Sequence, residues 1–257
     1  MKCSICIATY NKPETLKKTL DSIVCQNVPF EFEVIVVNDG PSDDATYEVC
    51  GNYSFPLVWY IRHYRPGRTF GDRTYSNPAG PRNAAYRLAR GEVIICQSDD
   101  VIHHSPDCIR NLVEQLQPKT FLLASVVNVD EQGHLYSTPN GRGYGDQLTV
   151  YVSPLRRRPL FFLGSLLRED LYAVGGNDED FTAPSGEDVW FGHCLINGRG
   201  LTPTYSATIV GHHQAHPHCD PAITKPSQNL LRQKIATARS ARNSDAYCSS
   251  RGPWIYP

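Results

Sequence analysis

The sequence has no long apolar run, and this absence bears on where the protein works. A helix that crosses a membrane needs about 20 consecutive apolar residues, and no stretch of the 257 residues approaches that length. The amino terminus also lacks the basic segment, long apolar core and cleavage site of a secretory signal. We therefore expect a cytoplasmic protein without a transmembrane segment.

The sequence also has no excess of positive or negative charge. The chain has 25 Lys and Arg residues against 26 Asp and Glu residues, which gives a formal net charge of -1. Proteins that bind nucleic acid through their overall charge are strongly basic. Nucleic acid is therefore not an expected partner, and each basic cluster has to be judged by its local surroundings.

The cysteines do not form an ordered set of motifs. The nine cysteines are scattered along the chain, and Cys3 and Cys6 form a CxxC pair that no second pair follows. A zinc site of four cysteines would need that second pair, and a disulfide framework is typical of short secreted chains. We expect reduced core thiols instead. The length and the 40% hydrophobic content suit one α/β domain with a modest appendage.

Apolar runs and helical patterns alternate along the chain. Residues 4–8 and 33–37 predict buried strands, and apolar residues recur at helical spacing between them. Such a βαβ unit has parallel strands, so the polar residues 9–11 and Asp39 should meet at one edge of the sheet. Further strands or apolar segments are predicted at 55–61, 93–96, 121–129, 161–167 and 204–210, and further helices at 82–88, 106–116, 168–173, 189–196 and 227–242.

Residues 91–104 are the most informative stretch. The apolar run 93–96 is typical of a buried parallel strand, so the polar residues 97–100 follow at its carboxyl end, where open α/β sheets bind ligands. Asp99 and Asp100 would repel each other and lose hydration there, so they need a cation or strong donors nearby. A divalent cation that also holds phosphate would meet this need. The alternative is a simple turn before the next helix.

Two other clusters contain side chains that could act in catalysis or bind a metal ion. Glu187 and Asp188 lie in the first turn of a predicted helix, but Ser185 and Asp188 also have the spacing of a capping box, which would give Asp188 a purely structural role. Four histidines lie within seven residues, at positions 212, 213, 216 and 218. Neutral imidazoles are common metal ligands, and a histidine-rich surface loop is the alternative.

Basic residues concentrate in two irregular segments. Residues 62–81 contain Arg62, His63, Arg65, Arg68 and Arg73. This stretch is either a solvated loop or a mobile flap whose guanidinium groups meet phosphate or carboxylate on a ligand. Residues 130–160 lack a clear period and end in three arginines at 156–158, so we expect a second substrate, anionic in character, to dock there.

Six motifs resemble those of the family 2 glycosyltransferases, which have the GT-A nucleotide-diphospho-sugar transferase fold. Their order and spacing match over roughly residues 3–200. The motifs are residues 4–11, residues 34–41, residues 81–85, residues 91–100, Gly175-Gly176 with the acidic residues that follow, and Gly186-Glu187-Asp188.

This resemblance implies a domain organisation. A single GT-A domain, α/β with a mostly parallel central sheet flanked by helices, would cover residues 1–220. Its donor half would be residues 1–100, and its acceptor and catalytic half residues 101–220. Residues 221–257 would form a C-terminal amphipathic helix and tail, through which peripheral membrane contact is conceivable.

The resemblance also implies roles for individual residues. Asp188 matches the catalytic base, with Glu187 beside it, and Asp99 matches the last aspartate of the DxD motif that holds Mn²⁺ or Mg²⁺ against the donor diphosphate. His212, His213 or His216 would complete the metal site. Gln97 replaces the first aspartate of that motif and brings no charge. The residues expected to bind the donor are Thr9, Tyr10, Asn11, Asp39, Arg82, Asn83, Gln97 and Ser98.

The implied activity is inverting transfer of a sugar from a nucleotide-diphospho-sugar, with UDP as the expected nucleotide, to a hydroxyl of a glycan or glycoconjugate. One alternative is a catalytically decayed carbohydrate-binding or nucleotide-binding module of the same fold. A sugar-nucleotide pyrophosphorylase is less favoured, because such enzymes usually have a glycine-rich phosphate loop after the first strand, where this chain has Thr9-Tyr10-Asn11-Lys12-Pro13.

Overall fold

A computed structural model describes residues 1–41, 45–53, 58–62, 77–135, 150–183, 185–214, 221–240, 249 and 252–254. Within these ranges the strands are β1 (Cys3–Thr9), β2 (Phe32–Asn38), β3 (Val58–Arg62), β4 (Val93–Ser98), β5 (Val101–His103), β6 (Thr120–Val129), β7 (Val150–Val152), β8 (Leu163–Leu167) and β9 (Thr202–Gln214). The helices are α1 (Pro13–Val24), α2 (Thr46–Gly51), α3 (Ala79–Leu88), α4 (Cys108–Glu114), α5 (Arg168–Val174), α6 (Glu187–His193) and α7 (Pro221–Ser240). A π-helical turn, Cys194–Gly198, continues α6.

The amino-terminal strands form the parallel part of the sheet. β1 pairs in parallel with β2 on one side and with β4 on the other, and β3 continues the sheet beyond β2. The predicted βαβ unit is therefore present, with α1 as its crossover. The carboxyl ends of β1, β2 and β4 lie along one edge of the sheet. The alternation of apolar runs and helical patterns in the sequence predicted this arrangement.

The rest of the sheet is mixed. Its full strand order is β3-β2-β1-β4-β8-β6-β9-β5, and β7 pairs with β6. β8 is antiparallel to both β4 and β6, β9 is parallel to β6, and β5 is antiparallel to β9. Together with the helices on its two faces, this sheet makes the described residues one α/β unit, as the resemblance in the sequence implies.

A short connection shows that the sheet is curled. Only Asp99 and Asp100 separate β4 from β5, although β5 is four strands away from β4 in the sheet order. In a flat sheet these strands would be about 19 Å apart at the usual strand spacing, whereas three Cα steps reach at most about 11 Å. The far edge therefore folds back, and the two aspartates lie where it meets β4.

Apolar residues cover both faces of the central strands, as expected for buried parallel strands. One core cluster joins Ile5, Ile7 and Ile95 to residues of α1 and α4. The other joins Cys6, Ile94 and further residues to α3, α5, α6 and α7. Six of the seven described cysteines are buried, as predicted for core thiols.

The C-terminal helix packs against the domain through polar as well as apolar contacts. Lys234 of α7 forms ion pairs with Asp178 at 2.9 Å and with Asp180 at 3.1 Å. Ser227 donates a hydrogen bond to the carbonyl of Ala183 at 2.7 Å and accepts one from its amide. In the described part of the chain, no helix combines the length and hydrophobicity that a membrane crossing requires.

Four elements differ from the sequence-based expectations. Helix α2 and strand β7 were not predicted, and neither was the short strand β5, which exists because β9 pairs with it from a distant part of the chain. Strand β9 is longer than the predicted 204–210 and includes His212 and His213. Local patterns could not reveal this extension, because strand pairing is a non-local interaction.

Candidate active site

Three strand ends meet at the edge predicted from the sequence. Thr9 closes β1, Asp39 follows β2, and Asp99 follows β4. The hydroxyl of Thr9 donates a hydrogen bond to Asp99 Oδ2 at 2.8 Å, and the amide of Asp39 donates one to the Thr9 carbonyl at 2.9 Å. All three residues are more than nine-tenths buried.

A cavity of about 150 Å³ opens at this edge, and we call it the first cavity. Most of its walls come from the turn after β1, from the segment that begins α3, and from the end of β4. Its lining residues are Ala8, Thr9, Tyr10, Lys12, Asp39, Asn77, Pro78, Pro81, Arg82, Ser98 and Asp99.

A basic side chain lies between the two aspartates. The ammonium of Lys12 is 3.2 Å from Asp100 Oδ2 and 3.9 Å from Asp99 Oδ1. This contact follows from the fold, because Lys12 lies just beyond the end of β1, whose neighbour in the sheet is β4. The sequence patterns did not predict a role for Lys12 at this site. Its position next to Asn11, which was expected to bind the donor, could have indicated one.

Adjacent histidines on β9 face different surroundings. His213 Nε2 lies 3.6 Å from Asp100 Oδ1, and its Nδ1 is 3.0 Å from Asn128 Oδ1. His212 packs instead against His104, with ring centroids 4.5 Å apart and ring planes tilted by 42°. Successive side chains of a strand point to opposite faces, so the extension of β9 brings His213, and not His212, to the aspartates. His216 and His218 lie outside the described residues.

Gln97 does not line the first cavity. It is 1% exposed, its Nε2 donates to the Val101 carbonyl at 2.9 Å, and its Oε1 is 3.0 Å from His103 Nε2. Burial lowers the pKa of His103 to about 4, so His103 stays neutral at physiological pH. Ser98, the next residue, faces the opposite way and lines the first cavity.

The ligand set at this edge suits a hard divalent cation. Carboxylate oxygens from Asp99 and Asp100 and one imidazole from His213 are groups that Mn²⁺ and Mg²⁺ accept. Among the described residues, no group of three or more such side chains is already gathered around a single point. A cation bound here would therefore require these side chains to close around it.

A second and larger cavity, of about 580 Å³, adjoins the first and contains the two acidic residues of the other motif. The two cavities share Arg82 and Ser98. The other residues that line the second cavity are Tyr151, Arg158, Pro159, Leu160, Phe161, Phe162, Ser185, Glu187, Asp188 and Val189.

The acidic pair lies at the start of α6, but the capping box is not formed. Gly186 is the N-cap, with a φ of 95°, and α6 has no side-chain cap in its hydrogen bonds. A side chain at Gly186 would be strained at this φ and would lie 3.1 Å from Phe181. Asp188 Oδ1 instead accepts a hydrogen bond from the amide of Val189 at 2.7 Å.

Arg82 is the positive partner of this pair. Its Nη1 is 3.9 Å from Glu187 Oε1, and both side chains are buried. Asn77 lies 3.5 Å from the other oxygen of Glu187 and donates a hydrogen bond to the Ala183 carbonyl at 2.7 Å. Ser227 of α7 bonds the same carbonyl, so α7 and Asn77, which lies just before α3, together hold the segment that precedes α6.

Burial changes the proton affinity of both carboxyls. Loss of hydration, reinforced by the neighbouring Asp188, raises the pKa of Glu187 to about 7, although Arg82 opposes the shift. Burial also raises the pKa of Asp188, and Arg82 and the Val189 amide oppose it. The two groups interact closely, so they titrate as a pair. A buried carboxylate with raised proton affinity is suited to accept a proton.

The sequence family follows from comparison with known proteins. The model of Glycosyl transferase family 2 matches residues 4–169, which is more than half of the chain. This chain belongs to that family. The chain is 29% identical over 245 residues to the validoxylamine A glucosyltransferase of Streptomyces hygroscopicus subsp. limoneus, with 83% of this chain and 51% of the relative covered. It spans about half the length or less of the curated relatives it matches.

Solved structures agree with this fold. The chain aligns with S. aureus TarS in complex with UDP-GlcNAc at a TM-score of 0.63 and 20% identity, covering 93% of this chain and 66% of that one. It aligns with the mannosyltransferase PcManGT from Pyrobaculum calidifontis, in complex with GDP-Man and Mn²⁺, at a TM-score of 0.59 and 19% identity, covering 94% and 65%. At this identity the likeness concerns the fold.

The fold gathers some of the residues expected to form the transferase site and leaves others apart. Thr9, Tyr10, Asp39, Arg82, Ser98 and Asp99 line the first cavity, and Glu187 and Asp188 line the second. Asn11, Asn83, Gln97 and His212 are not among the described lining residues of either cavity. Arg65, Arg68 and Arg73 lie outside the described residues.

Asn83 is bonded to the turn after α5. Its Nδ2 donates to the Asn177 carbonyl at 2.8 Å and to Glu179 at 2.9 Å, and its Oδ1 accepts from the Asn177 amide at 2.8 Å. It therefore ties α3 to the turn after α5. A side chain at Gly176 would overlap Asn83, so this contact requires a glycine.

Proposed function

We propose that this protein is an inverting glycosyltransferase that moves a sugar from a nucleoside diphosphate sugar to a hydroxyl of a glycan or glycoconjugate. The observation that carries the proposal is the pair of adjoining cavities. Asp99 lies in the first, Asp188 lies in the second, and Arg82 and Ser98 border both. A donor and an acceptor bound in the two cavities would meet at that border.

The first cavity is proposed to hold the nucleotide, with UDP as the expected one. The buried Asp39 can accept a hydrogen bond from a base N–H, and the turn after β1 supplies further polar groups. Support comes from the structural neighbours, which were solved with UDP-GlcNAc and with GDP-Man. We propose accordingly that residues 1–100 form most of the donor half and residues 101–220 most of the acceptor half.

Asp99, Asp100 and His213 are the residues that would hold a divalent cation, Mn²⁺ or Mg²⁺. Such an ion would neutralise the negative charge that develops on the diphosphate as it leaves. Thr9 fixes Asp99 through its hydroxyl, and Asn128 fixes the ring of His213. These contacts orient the ligands in the way that second-sphere hydrogen bonds do at known metal sites.

Asp188 is proposed as the general base. It takes the proton of the acceptor hydroxyl while that oxygen forms a bond to the anomeric carbon. At the same time the bond between the anomeric carbon and the diphosphate breaks, and its electron pair leaves with the diphosphate. Attack from the side opposite the leaving group inverts the configuration. Arg82 balances the charge of the acidic pair, and Glu187 orients Arg82 at the border of the cavities.

The second cavity is proposed to bind a sugar-like acceptor that carries negative charge. Tyr151 and Phe162 are partly buried rings 4.7 Å apart at the cavity wall, and such faces pack well against sugar rings. Arg158 lines the same wall and can bind phosphate or carboxylate.

A calorimetric titration tests the proposal. UDP, GDP and dTDP are each added to the protein with and without Mn²⁺, and the corresponding sugar nucleotides are then assayed for release of nucleoside diphosphate. Binding of one nucleotide together with release of that diphosphate is the expected result. Failure of all three nucleotides to bind would overturn the proposal.

A second candidate function is a binding module that has lost catalysis. The observation in its favour is Gln97, which replaces an aspartate of the DxD motif and is turned toward His103. A binding module would bind a nucleotide sugar but release no diphosphate from it, in the presence or absence of candidate acceptors. The same release assay therefore separates the two functions.

A further inference from the structure

Lys12 has an unusual position for a basic residue in a site that needs a metal cation. Its ammonium lies 3.2 Å from Asp100 and 3.9 Å from Asp99, the two carboxylates proposed to hold that cation. The Asp99 and Asp100 side chains are only 11% and 8% exposed. Lys12 therefore supplies positive charge where a divalent ion would supply it.

The surroundings explain why such a charge is needed. Two adjacent buried carboxylates remain ionised only with a nearby positive charge or strong donors. Gln97 faces Val101 and His103 and brings no charge, and the hydroxyl of Thr9 donates to a single oxygen of Asp99. The ammonium of Lys12 is close enough to act on both carboxylates.

We propose that Lys12 is a built-in counter-cation that competes with the divalent ion for Asp99 and Asp100 and turns to the donor diphosphate when that ion binds. This inference rests on the proposed function. It assigns to Lys12 a role that the sequence motifs do not indicate.

The position of Lys12 allows this exchange. Lys12 precedes α1 and lines the first cavity, and its side chain is 21% exposed. A lysine ammonium is a compact charge on a flexible four-carbon chain, so it can move within the cavity while the backbone stays in place. Both the carboxylates and the proposed diphosphate position border that cavity.

The exchange has a thermodynamic consequence. A metal ion that has to displace an ammonium binds weakly by itself, because like charges at this distance repel. Once a diphosphate is present, the displaced ammonium gains a new partner, so metal and nucleotide should each strengthen the binding of the other.

The test compares two lysine variants of the full chain by calorimetry with MnCl₂. Lys12→Met keeps the length of the side chain and removes its charge, and we expect Mn²⁺ to bind ~10-fold more tightly than to the parent protein. Lys17→Met is the matched control, because Lys17 lies on the exposed face of α1 and pairs with Asp21 at 2.8 Å. Its Mn²⁺ affinity should change less than about twofold. Unchanged or weaker Mn²⁺ binding to Lys12→Met overturns the inference.

A second variant and a second measurement guard against misfolding. Lys12→Arg keeps the positive charge and should bind Mn²⁺ within about threefold of the parent protein, so tightening as large as in Lys12→Met would contradict the inference. In thermal unfolding, Mn²⁺ should raise the midpoint of Lys12→Met more than that of the parent protein, because ligands stabilise the state they bind more tightly. An equal or smaller rise would also contradict it.

UDP titrations separate this inference from the proposed function. Without metal, UDP should bind Lys12→Met more weakly than the parent protein, and Mn²⁺ should improve UDP binding by a smaller factor in the variant, because Lys12 no longer couples the two ligands. If UDP binds none of the proteins while Mn²⁺ still prefers Lys12→Met, the counter-cation role holds and the proposed function fails. If UDP binds normally and Mn²⁺ does not distinguish the variants, the proposed function holds and this inference fails.

Discussion

The two cavities adjoin each other but are built in different ways. The acidic residue of the first cavity, Asp99, follows a buried parallel strand and is held by groups from the neighbouring strand end and the turn beyond it. The acidic residues of the second cavity lie at a helix start and are held by Arg82 and Asn77, about a hundred residues away in the chain. In the first cavity the nearby ammonium of Lys12 balances the charge of Asp99. In the second cavity burial raises the proton affinity of Glu187 and Asp188.

This difference explains why the two carboxylate sites can have different tasks. Asp99 has a hydroxyl donor and an ammonium close by, so its ionised form is stabilised and can hold a cation. Burial raises the pKa of Asp188, so its carboxylate accepts a proton more readily than an exposed aspartate would. The predictions below test this division, beginning with the largest expected effect.

Replacement of Asp188 by Asn should abolish transfer without loss of the donor site. We expect the rate of sugar transfer to fall by roughly 10² to 10⁴, the usual contribution of a general base, while UDP affinity stays within about twofold. The matched control is Glu169→Gln, an exposed acid in the first turn of α5. Transfer at near-parent rate by Asp188→Asn would return Asp188 to a structural role at the helix start.

Replacement of Asp99 by Ala should have the complementary effect on the first cavity. Mn²⁺ and UDP affinities should both fall by about 10-fold or more, because a ligand oxygen and the partner of Thr9 are lost together. Calorimetry of each ligand measures the change, and Asp107→Asn, at the start of α4, is a control remote from the sheet edge. Equal loss of metal binding in Asp188→Asn would contradict the division between the cavities.

The raised pKa of Glu187 predicts a pH dependence of stability. A carboxyl with a usual pKa of 4.5 and a folded-state pKa of about 7 is protonated in the folded protein over a range where the unfolded chain is ionised. Its contribution to the free energy of unfolding is therefore fully present below the unfolded value and decreases as pH rises from about 4.5 to 7. The loss should be on the order of 1 to 3 kcal/mol.

Glu187→Gln should remove this part of the pH dependence. Urea unfolding at several pH values between 5 and 8 should show a smaller decline in stability for the variant than for the parent protein, with Glu169→Gln again as the control. A variant whose stability declines as steeply as that of the parent protein would place the titrating group elsewhere.

Replacement of Gln97 by Asp should have the smallest effect on metal binding. By sequence, this change restores the missing aspartate of the DxD motif, but the side chain faces His103 and the Val101 carbonyl. Mn²⁺ affinity should change less than about twofold, whereas the free energy of unfolding should fall by about 1 to 2 kcal/mol because the Val101 carbonyl loses its donor. Strong tightening of Mn²⁺ in calorimetry would show that position 97 reaches the cation.

The fold and much of the candidate site could be predicted from the sequence. Buried strands with polar residues at their carboxyl ends indicated where Thr9, Asp39 and Asp99 meet, because strand direction in a βαβ unit is fixed by its crossover. The motif around Glu187 and Asp188 indicated the second acidic site. These inferences depend on local patterns and on chain order, which a sequence contains in full.

Other features depended on contacts that local patterns do not specify. Strand β9 extends through the histidines because β5 and β6 pair with it, and this pairing decides that His213 and not His212 meets Asp100. Gln97 faces His103 because β5 folds back beside β4. Asn83 holds a turn that lies 94 positions further along the chain.

The sequence by itself determined which chemical groups lie at the ends of the parallel strands and at the start of α6, since strand alternation and helix starts are local properties. The tertiary structure alone decided which of these groups face a common cavity. It placed Lys12 between the two aspartates and Arg82 between the two cavities. The physical reason is that the curl of the sheet and the packing of its helices arise from contacts between distant segments, and those contacts set the direction in which each side chain points.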